Sequence, residues 1–187
     1  MLYLEHRPHP ALAPFIKAFW YVRDPHAAHR HERGLPSCRA QIVISLARDH
    51  LTDANNPINP LSHTPAAIFL GIFSRYQQID AIDFSELIGI VFHSGGTVPF
   101  FPDNARTFSN CETALDDLWG RASLNLRNDL REVATPEQKF SLLEFALLTR
   151  LSLSSHQHRD QSSTTPSPIS TPLPAPPPSP SSPAPPA

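Results

Sequence analysis

The stretch Leu87-Ile88-Gly89-Ile90-Val91-Phe92 is six consecutive apolar or glycine residues without a charge, and it constrains the fold more than any other part of the chain. It is too short to span a membrane. Successive side chains of a strand point to opposite faces, so Leu87, Gly89 and Val91 share one face and Ile88, Ile90 and Phe92 the other. Both faces are apolar. The strand therefore needs cover on both sides, from a small barrel or from a sheet with a helix laid over it. His93-Ser94-Gly95-Gly96 ends the run, because paired glycines take backbone angles that other residues avoid.

On either side of this run the pattern is first β-like, then helical. Pro10 opens a helical turn with Leu12, Phe15, Ile16 and Phe19 on one face, leading into a strand through Phe19-Trp20-Tyr21-Val22. Residues 24–34 form a polar loop. Gln41 to Leu46 and Ala67 to Phe73 read as strands, residues 48–65 as an exposed loop, and Ile79 to Phe84 as a strand or hairpin leading into the central run. After Cys111 the spacing lengthens to three and four: Leu115, Leu118, Trp119 and Ala122, then Leu126, Leu130 and Val133. Thr135-Pro136-Glu137-Gln138 is the clearest helix start, with Thr135 as N-cap, Pro136 at N1 and Gln138 closing a capping box. That helix should run to about Leu151 with Phe140, Leu143, Leu147 and Leu151 on one side, and Leu148 among the residues that widen its apolar surface.

Composition separates the C-terminal end from everything before it. From Ser162 to Ala187 the chain holds only Pro, Ser, Thr, Ala, Ile169 and Leu173, with eleven of its 22 prolines. Such a segment has too little apolar surface to offset its ordering entropy. The expected organisation is a folded unit over 1–155 and a disordered Pro/Ser/Thr-rich tail over 156–187. The formal net charge of −2 leaves no electrostatic footprint for nucleic acid or an acidic membrane. Cys38 and Cys111 belong to no C-x-x-C pattern and read as two buried thiols, a single disulfide being the alternative. No signal peptide and no membrane span are expected, which points to the cytoplasm.

Few residue patterns carry chemistry. There is no G-x-S-x-G elbow, no phosphate-binding glycine loop, and no basic patch interleaved with aromatics. Asp116-Asp117 reads as a solvated helix start. His29 and His31 alternate, so in a strand both would reach one ion, with His93 as a distant third ligand, whereas Glu32 would point away. A solvated polar loop is the simpler reading, and the metal-dependent cupin enzyme remains the alternative. The leading expectation is a protein with no catalytic residues, no metal and no cofactor.

Several stretches, taken in order, resemble the N-terminal sensing domain of AraC-type transcription regulators, in the group whose N-terminal domain is a transcription-factor domain of unknown function. They are His6-Arg7-Pro8 with Leu12, Phe15 and Phe19-Trp20; Arg33-x-Leu35-Pro36; Ile42 to Leu46; Gly71; Leu87 to Gly96; Leu115-Asp116-Asp117-Leu118-Trp119-Gly120; and Leu143-Glu144-x-Ala146-Leu147-Leu148-x-Arg150-Leu151. Together they cover about residues 3–152. The resemblance implies an α+β fold: a small cupin-like β-barrel that binds an effector, then C-terminal helices that dimerise. Trp20, Arg33, Phe92 and His93 are the candidate effector-pocket walls, with Arg33 orienting an acidic small molecule. Phe140, Leu143, Leu147, Leu148 and Leu151 are the candidate dimer contacts, in a homodimer or with an intact regulator. Two departures stand out. Where the family tends to have Leu-Pro-Asp-Gly, this chain has Leu35-Pro36-Ser37-Cys38. Where the family's helix-turn-helix domain should begin, near residue 160, stands the uncharged tail. The expectation is a truncated regulator that does not bind DNA alone. An out-of-frame reading of a former DNA-binding domain would account for the tail, and translation of the other two frames tests that.

Overall fold

The central run is the hub of a six-stranded antiparallel sheet. The computed structural model describes residues 1–28, 30–52, 63–101 and 105–162. Strand β1 spans Leu2–His6, β2 Ile16–Arg23, β3 His31–Gly34, β4 Gln41–Ser45 and β5 His50–Thr52. Then come β6 His63–Pro65, β7 Ala67–Leu70, β8 Gln77–Asp80, β9 Glu86–Phe92 and β10 Glu112–Ala114. The sheet order is β1-β2-β9-β4-β7-β10, while β3 pairs with β8 and β5 with β6 as two separate ribbons. Helix α1 covers Leu115–Trp119, α2 Arg121–Glu132 and α3 Pro136–Ser162. No helix among the described residues is long and apolar enough to cross a membrane.

Strand β9 is covered on both sides, as its composition requires. Ile88, Ile90 and Phe92 belong to the larger core with Ile42, Ile44, Phe69 and the helical residues Leu115, Leu130, Leu143 and Leu147. Leu87 belongs to a second, smaller core with Val22, Val43, Leu51 and Ile68. One sheet face thus carries the helices, and the other carries the ribbons. An irregularity in β2 between Ile16 and Ala18 breaks the alternation. It lets Ile16 and Phe19 both enter the helix-side core although an odd number of positions separates them. The expected cupin-like barrel is not found: each ribbon pairs within itself, so among the described residues the strands form no closed barrel.

The helical layer is tied down at identifiable points. Thr135 and Gln138 form the anticipated capping box: the Gln138 N–H donates to Thr135 Oγ1 at 3.3 Å, and the Thr135 N–H to Gln138 Oε1 at 3.4 Å. Helix α3 continues past Leu151 to Ser162, into residues assigned from composition to the tail; residues 163–187 lie outside the described residues. Gly120, at φ +58°, separates α1 from α2. Lys139, 4 % exposed, donates from Nζ to the carbonyls of Leu130 and Val133, which the end of α2 leaves without helical partners. Burial holds its ammonium below the usual lysine range, opposed by Glu86 at 3.7 Å. Glu86 also accepts from the Tyr21 hydroxyl at 2.9 Å, and burial with that bond pushes the phenol up to about 12.

The cysteine expectation is corrected. Cys38 and Cys111 are both exposed and both free, because each lies in the irregular segment just before a strand rather than on an inward-facing strand position. Cys38 also holds φ +51°, a left-handed conformation that glycine adopts without strain.

Candidate functional site: a hollow on the ribbon side of the sheet

Alternation along four strands builds the floor of the hollow. Register pairs Trp20 with Gly89, Gly89 with Val43 and Val43 with Ile68, so these residues lie side by side on the ribbon face. Gly89 is required there. A Cβ on it would stand 2.3 Å from two indole carbons of Trp20 and 2.7 Å from the Ile42 carbonyl. Trp20 thus lies across β9 in the space that a side chain at position 89 would occupy.

Above this floor is a cavity of about 260 Å³. Trp20, Val43, Ile68, Leu70, Leu87 and Phe84 supply its apolar lining, and Arg39, Gln41, Gln78, Asp83 and Glu112 are among its polar residues. A wider hollow of about 680 Å³ adjoins it toward the N-terminus, and Trp20, Gln41 and Phe84 border both. An apolar cavity with a few convergent polar groups is the usual form of a small-molecule site.

The acidic groups of the cavity are already engaged. Asp83 accepts from the Thr52 N–H at 3.0 Å and from its hydroxyl at 3.2 Å, and lies 3.8 Å from Arg48 Nε. Burial pushes its carboxyl above the usual aspartate range, against those hydrogen bonds and the arginine. Glu112 accepts from Gln77 Nε2 at 2.9 Å. Arg48 in turn connects the cavity to the helices. Arg127 on α2 donates from Nε to the Ser45 carbonyl at 2.8 Å and from Nη2 to the Arg48 carbonyl at 2.7 Å.

The four residues singled out in sequence as pocket walls are not brought together. Trp20 lines the cavity. Phe92 is fully buried in the helix-side core beside Phe69, Phe100 and Phe101. His93 borders a separate cleft of about 30 Å³. Arg33 is exposed on β3, its guanidinium 5.0 Å from the Tyr76 ring centre. Of the proposed dimer contacts, Phe140, Leu143 and Leu147 are buried in this chain's own core, with Leu148 and Leu151 half-buried against it. His29 and the side chain of His31 lie outside the described residues, and among those described no group of three His, Cys, Asp or Glu is placed to hold a metal. Arg39 was the wall residue that sequence reasoning missed. It stands in the bend before β4 and borders both this cavity and the small cleft beside His93, so strand alternation gave no signal for it.

The fold and hollow define an α+β protein whose antiparallel sheet is buried by helices on one face and holds a ligand-sized cavity on the other. The chain belongs to the family described as a domain of unknown function (DUF6597), whose model matches residues 4–113. That span runs from β1 into β10 and includes every residue that lines the cavity. No curated protein and no solved structure matches the chain.

Proposed function

We propose that this chain is the sensory domain of an AraC-type transcription regulator, that its effector sits in the 260 Å³ cavity, and that sheet and ribbons together play the part of a cupin-like barrel. The observation that carries the reading is the position of the cavity inside the span that defines the family, on the face the helices leave free. The ordered motifs of an effector domain followed by a helical layer support it. Sensing is the role, and reading DNA is not: with a formal net charge of −2, no anisotropy change is expected on titration into labelled duplex DNA. Pairing with a second copy or an intact regulator in the cytoplasm falls to the outer side of α3, where Phe145 and Leu153 are 70 % and 60 % exposed.

A thermal-shift screen of small metabolites tests the sensory assignment, with Gln41→Trp as the variant that fills the junction of the two hollows. Binders that stabilise the native chain and not the variant support the reading. Stabilisation that survives the substitution overturns it. Sedimentation velocity checks the pairing: a dimer that Phe145→Glu dissociates is expected, and a monomer at every concentration removes that part.

A further inference from the structure

We propose that the ligand of this cavity is a small organic carboxylate with a one- or two-ring apolar body, its ring against Trp20 and its anion held by Arg39; this rests on the effector-site reading above. Arg39 is the only lysine or arginine lining the cavity among the described residues. Its backbone N–H donates to Ser37 Oγ at 3.4 Å, and its carbonyl accepts from that hydroxyl at 3.2 Å. Its guanidinium has no ion-pair or hydrogen-bond partner among the described residues. An arginine without a carboxylate, at the edge of an apolar cavity, offers the planar donor fork that a carboxylate fits in two-point fashion.

The acids of the cavity do not compete for that role. Asp83 is committed to Thr52 and Arg48, and Glu112 accepts from Gln77. Gln41, also in the lining, donates from Nε2 to Ser37 Oγ at 3.2 Å. Among the described residues the engaged groups are therefore the carboxylates, and the charged side chain left for a ligand is a cation. The apolar body is set by the floor: Trp20, held flat over Gly89, with Val43, Ile68 and Leu70 beside it. The volume, about 260 Å³, is at the small end for a ligand site and suits one or two rings better than a long chain. Arg33, the cation favoured from sequence, stacks on Tyr76 outside this space.

Benzoate and 2-naphthoate, with benzamide and benzylamine as neutral and cationic counterparts, are the probes. Affinity is read by calorimetry in the native chain, Arg39→Gln, Arg39→Lys and Gln41→Trp. The carboxylates should bind about tenfold or more tightly than the amide and amine, and Arg39→Gln should remove that advantage while Arg39→Lys keeps part of it. Gln41→Trp should abolish binding of every probe. If amide or amine binds as well as acid, or Arg39→Gln leaves the acid unaffected while Gln41→Trp still blocks it, the anion assignment falls and the effector cavity stands. If no probe binds, or binding ignores Gln41→Trp, both fall. Should Arg39→Gln not fold by circular dichroism, the charge series on the native chain and Arg39→Lys decides alone.

Discussion

Three positions in and around the hollow show how single residues set its shape. Gly89→Ala forces a methyl into Trp20 and against the Ile42 carbonyl; the carbonyl cannot yield without moving β4, so a loss of about 1–3 kcal/mol in urea unfolding is expected. Cys38→Gly should act in the opposite sense. It relieves a left-handed backbone at φ +51°, and after the larger unfolded-state entropy of glycine a net gain of up to about 1 kcal/mol remains. Asp83 gives the hollow a pH signature. Its folded carboxyl titrates above the unfolded value of 3.8, so the protonated form is favoured by folding. Its stabilising contribution is then fully present below that value and is lost as pH rises through the raised folded pKa. Measured from pH 3 upward, the stability of the native chain relative to Asp83→Asn should fall through the acid range and then level off. A difference that grows with pH would mean that the arginine and Thr52 outweigh burial.

At the scale of elements, the clearest dependence is that of α2 on the β4–β5 turn. Arg127 reaches two backbone carbonyls there, and its partner Ser45 is fully buried. Arg127→Ala leaves those carbonyls short of a charged donor and should cost about 2–3 kcal/mol by denaturant titration. Arg127→Lys should recover little, because a single ammonium cannot serve both oxygens. Asp49, which Arg127 and Arg131 hold below the usual aspartate range, is 78 % exposed, and Asp49→Ala should matter far less. Elements with local signals were legible from sequence: the two-faced strand β9 and the capping box at Thr135. Elements defined by distant partners were not. Strand β10 is three residues long and exists because Thr113 pairs with Phe69, and the β3–β8 ribbon joins segments whose spacing carries no turn signal. The candidate pocket walls are separated for the same reason. Phe92 and Trp20 were both candidate walls, and only register says that they lie on opposite faces.

For the whole molecule, the two cores divide the labour. The ribbon-side core is small and leaves room for a ligand, whereas the helix-side core holds most of the fully buried side chains. The span that identifies the family ends at residue 113, before α1 begins at Leu115. Resemblance and thermodynamics therefore draw different boundaries. A fragment cut at residue 114 would keep every wall of the hollow yet strip the blanket from Ile42, Ile44, Phe69, Ile88, Ile90 and Phe92. Laid bare together, these side chains make a sticky plate far larger than a lone domain tolerates in water. Expressed by itself, the fragment should be recovered in the pellet or bind a hydrophobic dye strongly, while 1–162 stays dispersed. A dispersed, dye-silent 1–114 would mean the family's signature is also a free-standing body.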